Sequence, residues 1–202
     1  FCLSRGLGDV YKRQPTDGAL KVNGQELSGM MYAWGQFIDH DLDLEQTTPA
    51  GSDISIPVPK NDSLPTGTTI PLTRVTIDPT TGKPGHPATA INTVSGWLDG
   101  SMVYGSDAAT ASSLRLSDGH LKTSAGDNLP IVGTTQGPAF AAGDARAQEN
   151  PDLTALQTLF VREHNYQVDQ LKKQHPSWTG DQLYQQARAI TTAEIVNITY
   201  NE

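Results

Sequence analysis

The chain has 202 residues and a formal net charge of −8, and this acidic balance argues against nucleic acid or an anionic membrane surface as the main partner. Hydrophobic residues make up 36% of the chain, with 19 Gly and 13 Pro, which predicts one loop-rich domain, or part of one, that can still bury a core. No apolar run approaches the ~20 residues needed to cross a bilayer, so no transmembrane segment is expected.

Residues 1–14 differ from the rest of the chain. Three basic residues and one acidic residue give them a net charge of +2, and they hold the only cysteine, Cys2. They resemble translated adapter read-through at the ends of metagenomic gene fragments, so we interpret them as a non-native segment. A native N-terminal arm is the alternative. Because residues 15–202 contain no cysteine, we expect disulfides to play no part in stability.

Residues 15–29 are polar and predict a lead-in loop, and residues 30–38 are mostly apolar and predict a buried helix. If this helix continues, Gln36, Asp39 and His40 share one face, at spacings of i, i+3 and i+4. Burying these three groups costs on the order of several kcal/mol unless each has a partner. A tertiary network or a bound ligand is therefore expected opposite them.

The next long segment, residues 45–92, contains eight prolines and many Thr and Gly residues. Proline at this spacing excludes long helices, and only short strands such as residues 69–77 remain plausible. Loops this long inside a compact domain are usually functional or enclose a cofactor site.

The second half of the chain carries clear signals for turns and helix ends. Asp107 is a candidate N-cap for a short helix over residues 108–114, and Asp118 with Gly119 predicts a tight hairpin. Two long helices follow.

The first long helix has Asn150 as N-cap, Pro151 at its first position and an end near Gln174. The second begins with a capping box formed by Thr179 and Gln182. Their apolar sides are predicted to carry Leu153, Leu156, Leu159, Phe160, Val168 and Leu171, and Leu183, Ala187, Ile190, Ile195 and Ile198. The predicted fold class is mainly α, with long irregular loops and little sheet.

Three blocks occur in the order in which a known family has them. They are residues 36–41 (QFIDHD), residues 98–106 (LDGSMVYGS) and residues 143–151 (GDARAQENP), the last running on to residues 159–165 (LFVREHN). The chain resembles the animal-type haem peroxidases, the superfamily of myeloperoxidase, lactoperoxidase and peroxidasin, and we interpret it as a bacterial member. The resemblance covers roughly residues 24–202. It implies a truncated helical peroxidase fold in which residues 15–202 form the N-terminal, distal part of a catalytic domain that binds haem b.

The chemistry of peroxide cleavage explains why two of these residues stand out. Splitting the O–O bond needs a base that moves a proton from one oxygen to the other, and a fixed positive charge that stabilises the departing oxygen. A neutral imidazole and an arginine suit these tasks. The resemblance places the distal histidine at His40 and the catalytic arginine at Arg146, and implies that Gln36 hydrogen-bonds distal water or an anionic substrate. A satisfied core histidine is the alternative for His40.

Two further carboxylates have a counterpart in the family. The resemblance implies that Asp39 and Glu149 form ester bonds to haem methyl groups, whereas an exposed pair between Arg146 and Glu149 is the plainer interpretation. Asn150 stands where myeloperoxidase has a methionine that forms a third haem link, so no sulfonium bond is expected.

A set of hard oxygen ligands follows the predicted distal helix. The carboxylates of Asp41 and Asp99, the hydroxyls of Ser95 and Ser101 and the carbonyl of Trp97 suit Ca²⁺, which takes six to eight oxygens. The resemblance implies a calcium site at these same residues. A solvated acidic turn is the alternative. An EF-hand is rejected because Leu44 occupies the position that requires Gly.

The expected function is that of a haem-dependent peroxidase that reduces hydrogen peroxide to water and oxidises halide, thiocyanate or aromatic donors. A related fatty-acid dioxygenase and a non-enzymatic calcium-binding or adhesion module are the alternatives. His164 matches a family position that we interpret as structural. The proximal histidine of the family follows the segment that resembles residues 198–202, so the 202-residue chain is expected to be a fragment that is not a competent peroxidase alone. Its acidic, Thr- and Gly-rich composition favours an extracellular protein.

Overall fold

The computed structural model describes residues 29–47, 54–134 and 137–201, and the predictions for residues 1–14 and 15–28 lie outside them. The described residues are mainly helical, which confirms the predicted fold class. The helices are α1 (Met30–Leu42), α2 (Ser101–Tyr104), α3 (Ala108–Leu114), α4 (Pro151–Gln174) and α5 (Gly180–Asn201). The strands are β1 (Ile56–Pro57), β2 (Thr69–Ile70), β3 (Ile131–Thr134) and β4 (Gly137–Phe140). No described helix is both long enough and apolar enough to span a membrane.

The described residues form two compact units. Residues up to Asp41 and from Trp97 onward form the first unit, and Leu42–Gly96 form the second. The helices α2 to α5 and nearly all of α1 belong to the first unit.

The second unit contains only short pieces of sheet. Strands β1 and β2 pair antiparallel, with Ile56 opposite Ile70, and isolated bridges join Thr47 to Val75 and Ile77 to Ala90. The predicted strand over residues 69–77 is therefore much shorter than expected. Pro71 directly follows β2 and has no N–H group to continue the hydrogen-bond ladder.

The long helix α4 begins where its sequence signals place it. The Oδ1 atom of Asn150 accepts a hydrogen bond from the N–H of Leu153, and Pro151 occupies the first turn. At the start of α5, Thr179 and Gln182 form the reciprocal bonds of a capping box. These signals predict the helix ends correctly because they act within four residues of the chain.

The N-cap of α3 and the hairpin that follows this helix are also confirmed. The Asp107 side chain caps α3 by accepting hydrogen bonds from the N–H groups of Ala109 and Thr110. Residues 115 and 121 pair across the hairpin that contains Asp118 and Gly119.

The core of the first unit lies where α1, α2, α4 and α5 meet. Phe37 is fully buried, and its ring stacks on Phe160 of α4 with centroids 5.1 Å apart. Trp34 packs against both rings and donates a hydrogen bond to Thr199 of α5. Phe37 therefore links the helix that carries His40 to the longest helix of the unit.

Three expectations about burial are wrong in part. The first turn of α1 is exposed, including Tyr32 at 74%, so only the later part of the helix is buried. Leu159 is 55% exposed and lines a groove of about 720 Å³ between α4 and α5. Ile190 and Ile198 are half-buried, whereas Tyr184, which has a polar hydroxyl, is buried.

Candidate active site

Helix α1 brings the three predicted polar residues to the same region of the first unit. His40 is 2% exposed, Gln36 is half-buried, and the Asp39 side chain is 60% exposed. The spacing of i, i+3 and i+4 places them on neighbouring positions of one face, while the ring of Phe37 packs on Phe160 of α4. A tertiary network or a bound ligand was expected opposite these groups, and the structure shows a network for Gln36, whose amide bonds to Glu149 and Asn150.

A close backbone contact fixes the start of this opposing segment. A Cβ atom at Gly143 would collide with the backbone of α2, at the carbonyl oxygen of Ser101 and the carbonyl carbon of Val103. The N–H of Asp144 donates to the carbonyl oxygen of Met102 at 3.1 Å. Glycine at position 143 thus allows the chain to pass directly over α2 and to place Asp144 next to α1.

Asp144 is the residue that sequence reasoning missed. Its carboxylate is almost fully buried and accepts hydrogen bonds from the backbone N–H, the Nε and the Nη2 of Arg146, at 2.7, 2.9 and 2.8 Å. The bidentate contact of Nε and Nη2 with the carboxylate fixes the plane of the guanidinium group. One signal could have identified it. A half-buried arginine needs a carboxylate partner, and Asp144 stands two residues before Arg146 in the sequence.

Arg146 lies beside the residues of α1. Its Nη2 atom is 3.5 Å from the backbone oxygen of His40, and its Nη1 atom is 4.0 Å from the carboxylate of Asp39. The structure therefore brings together the predicted base and the predicted cation, which are 106 residues apart in the sequence.

The imidazole of His40 lies between two carboxylates without a hydrogen bond to either. Its Nδ1 atom is 3.8 Å from Asp144 and its Nε2 atom is 3.7 Å from Glu149, distances too long for hydrogen bonds. Nδ1 is buried and has no hydrogen-bond partner among the described residues. Burial, at 2% exposure, therefore holds the ring in place without a hydrogen bond to Nδ1 from the described residues.

Burial is the main cause that lowers the pKa of His40, and the positive charge of Arg146 lowers this pKa further. The negative charges of Asp144, Glu149 and Asp39 act in the opposite direction but do not compensate. A lowered pKa keeps the imidazole neutral near pH 7, the form that can accept a proton.

An amide network connects the two segments of the site. The Gln36 Nε2 atom donates to the carboxylate of Glu149 at 2.9 Å, and its Oε1 atom accepts from Asn150 Nδ2 at 2.6 Å. Asn150 thus both caps α4 and contacts Gln36, a second role that the sequence did not reveal.

The two carboxylates predicted to bind haem are the accessible ones of the site. Asp39 is 60% exposed in its side chain and Glu149 is 33% exposed, whereas Asp144 is 2% exposed. They flank the pair formed by Arg146 and His40, so this donor set fits a large ligand that reaches both acids while His40 stays buried. The exposed pair between Arg146 and Glu149 that was weighed as an alternative is not formed, since Arg146 bonds to Asp144.

Four of the five predicted calcium ligands belong to the first unit. Both oxygens of the buried Asp41 carboxylate accept hydrogen bonds, from the N–H of Gly100, the hydroxyl of Ser101 and the N–H of Met102. Burial is the first cause that raises the pKa of Asp41, and the charge of Asp99 adds to it. This is a cluster of hard oxygens and negative charge.

The remaining predicted ligands are placed differently. Trp97 has an exposed side chain, at 75%, while its backbone oxygen accepts a hydrogen bond from the N–H of Asp99. Ser95 belongs to the second unit. Within residues 29–47, 54–134 and 137–201, no three His, Cys, Asp or Glu side chains lie close enough together to hold a metal ion; the predicted set has two carboxylates.

His164 lies on α4, and its contacts are separate from those of Gln36, His40 and Arg146. It is fully buried, with Nδ1 3.1 Å from the Tyr104 hydroxyl and Nε2 3.0 Å from the carbonyl oxygen of Gly119. Its hydrogen bonds thus hold α2 and the 117–120 turn against α4, a structural arrangement that involves none of the distal residues.

Comparisons with known proteins agree with this arrangement. Mouse eosinophil peroxidase is 34% identical, over 99% of this chain and 33% of that protein. Among solved structures, fatty acid alpha-dioxygenase from Arabidopsis thaliana matches with a TM-score of 0.72 at 28% identity, over 87% of this chain and 27% of that chain. Peroxidase A from Dictyostelium discoideum matches with a TM-score of 0.70 at 27% identity, over 86% of this chain and 39% of that chain.

The chain spans about a third of the length of the eosinophil peroxidase that it matches. The sequence model of one family, described as animal haem peroxidase, matches residues 13–202. The chain therefore belongs to the animal haem peroxidase family.

Proposed function

We propose that this chain forms the distal side of a haem-dependent peroxidase that reduces hydrogen peroxide to water. The observation that carries the proposal is the buried His40 imidazole, whose Nδ1 atom has no hydrogen-bond partner among the described residues, together with the fixed guanidinium of Arg146, which contacts the backbone oxygen of His40. A free base beside a fixed cation is the pair that cleavage of the O–O bond requires.

In this proposal, hydrogen peroxide takes up two electrons and two protons and yields two molecules of water. His40 accepts the proton of one peroxide oxygen and returns it to the other, which leaves as water. Arg146, held by Asp144, stabilises negative charge on the departing oxygen. Because Asp144 binds the guanidinium at two points, the cation is already in position before the bond breaks.

Haem supplies the redox-active iron through which electrons reach the peroxide. Asp39 and Glu149 would hold haem through its methyl groups, as the family resemblance implies. Gln36 donates from Nε2 to Glu149 and would keep that carboxylate oriented. We further propose halide, thiocyanate or aromatic molecules as electron donors, a Ca²⁺ ion bound by Asp41, Ser95, Trp97, Asp99 and Ser101, and an extracellular location.

The proposal concerns the complete catalytic domain, since this chain spans about a third of the eosinophil peroxidase that it matches. We propose that the 202 residues alone do not reduce peroxide at a useful rate, because no histidine of this chain matches the family's proximal position.

The test compares wild type, His40→Ala and His86→Ala in the haem-loaded complete domain. We expect His40→Ala to lower the rate of peroxide reduction by roughly 10²- to 10⁴-fold, the usual contribution of a general acid–base group. His86 is exposed in the second unit, so His86→Ala should retain the wild-type rate. An unchanged rate in His40→Ala would refute the assignment.

The structural similarity to fatty acid alpha-dioxygenase supports a second candidate, oxidation of a fatty acid by dioxygen. The 34% identity to eosinophil peroxidase over nearly the whole chain, and the pair formed by Asp39 and Glu149, favour peroxide reduction. Oxygen consumption with palmitic acid, measured beside peroxide consumption with thiocyanate, distinguishes the two activities.

A further inference from the structure

Asn150 joins the N-terminus of α4 to Gln36 of α1 through its two side-chain atoms. Its Oδ1 atom accepts from the backbone N–H of Leu153 at 2.8 Å, and its Nδ2 atom lies 2.6 Å from Gln36 Oε1. Gln36 Nε2 in turn lies 2.9 Å from the carboxylate of Glu149. Three hydrogen bonds therefore form one continuous chain from the helix backbone to an acid of the site.

The direction of every bond in this chain follows from its first member. The N–H of Leu153 can only donate, so the atom of Asn150 that faces it must be the oxygen. The nitrogen of Asn150 then points to Gln36, which must present its own oxygen there. The Gln36 nitrogen is left to face Glu149, whose carboxylate only accepts when ionised.

The reversed orientation of the Gln36 amide is disfavoured at both ends. It would place the Gln36 oxygen against the Glu149 carboxylate and the Gln36 nitrogen against the Asn150 nitrogen, so that two acceptors and two donors would meet. In the observed orientation, Gln36 Nε2 uses one hydrogen for Glu149, and its second hydrogen can serve an anionic ligand.

We propose that Asn150 is a positioning residue that fixes which end of the Gln36 amide faces Glu149. The hydrogen bond that caps α4 fixes which end of the Asn150 amide faces Gln36. Asn150 in turn fixes the orientation of the Gln36 amide, so that Gln36 presents a donor rather than an acceptor to Glu149. The extension to anion affinity rests on the proposed peroxidase function, whereas the orientation of the amide does not depend on it.

Two variants separate this role from helix capping. Asn150→Ser keeps a side-chain acceptor for Leu153, because Ser is a strong N-cap residue, but it is too short to reach Gln36 with a donor. Asn150→Asp also keeps the cap and places a carboxylate oxygen against Gln36 Oε1, which favours the reversed amide. Asp152→Asn is the control for charge, since Asp152 is exposed in the first turn of α4.

The first measurement is NMR of the Gln36 side-chain amide in the full 202-residue chain. In Asn150→Ser the Gln36 amide loses the hydrogen bond that Asn150 donates to its oxygen. We therefore expect the two amide hydrogens of Gln36 to exchange with solvent about fivefold faster, the effect of losing one neutral hydrogen bond. In Asn150→Asp we expect their Overhauser contacts to move from Glu149 to the side chain at position 150. Asp152→Asn should leave the Gln36 signals unchanged. Identical Gln36 signals in wild type and both Asn150 variants would overturn the proposal.

The second measurement uses the haem-loaded complete domain with thiocyanate as the donor. We expect Asn150→Ser to raise KM for thiocyanate about fivefold with a smaller change in kcat. Simple loss of folded protein would instead lower the maximal rate and leave KM unchanged. Absence of peroxidase activity in wild type would refute the proposed function, and the NMR result would still decide the role of Asn150.

Discussion

The stability of the fold should depend on pH through His164, a histidine outside the distal site. The carbonyl oxygen of Gly119 can only accept a hydrogen bond, so His164 Nε2 must carry the hydrogen, and Nδ1 must accept from the Tyr104 hydroxyl. Burial lowers the pKa of His164 to about 4, and the nearby charges of Arg115 and Arg188 act in the same direction. A second proton on this ring would therefore disrupt the bond to Tyr104.

The magnitude follows from the difference between the folded and unfolded chains. The pKa of His164 falls from 6.5 to about 4 on folding, and at about 1.4 kcal/mol per pH unit this corresponds to about 3 kcal/mol. Below pH 6.5 the unfolded chain binds a proton that the folded chain does not. The stabilising contribution is therefore complete above pH 6.5 and is lost as the pH falls toward 4.

The assay is urea-induced unfolding at several pH values between 4.5 and 8, followed by tryptophan fluorescence. We expect the difference in unfolding free energy between wild type and His164→Gln to shrink by about 2 kcal/mol from pH 7.5 to pH 5. Other titrating groups are common to both proteins and cancel in this difference. His86→Gln, at an exposed position, should follow the wild-type pH dependence. Parallel curves for wild type and His164→Gln would refute the reasoning.

Four further changes test individual contacts. Gly143→Ala forces a Cβ atom into the backbone of α2 and should lower the unfolding free energy by about 3 kcal/mol, measured by urea unfolding. Asp144→Asn leaves Arg146 without its carboxylate partner and should cost about 3 kcal/mol in the same assay. Phe37→Ala removes a fully buried ring and should lower stability by about 3–5 kcal/mol, seen by thermal unfolding. Asp41→Asn should weaken Ca²⁺ binding at least tenfold in isothermal titration of the complete domain, whereas equal affinity would contradict the proposed ligand set.

Local signals predicted the helix ends correctly because each depends on residues close in sequence. The cap by Asn150 and the capping box of Thr179 and Gln182 are complete within a few residues. The strand over residues 69–77 was predicted too long, because strand length depends on a partner elsewhere in the chain and Pro71 cannot join the ladder.

For the candidate site, the sequence indicated residues but not the contacts between them. His40 and Arg146 were found from their chemistry and from the family resemblance, and the structure places them side by side. The bond from Asn150 to Gln36 was missed because nothing in the sequence reports which side chains meet across 114 residues. Asp144 was missed although it stands only two residues before Arg146. Leu159 was predicted on the apolar side of α4 and lines an apolar groove there, but it is 55% exposed, because an apolar residue at the edge of a helical stripe can remain exposed.

The order of the segments along the chain also has a consequence for how the protein folds. Helix α1 is separated from the rest of its unit by Leu42–Gly96, so contact between His40 and Arg146 closes a loop of 106 residues. Closing such a loop costs about 4 kcal/mol of chain entropy, whereas α4 and α5 are adjacent in the sequence and pack together first. We therefore expect α1 to dock late in folding and to detach first in unfolding. A partly opened state with α4 and α5 intact would then lose the distal site as a whole, and amide hydrogen exchange in α1 would report it.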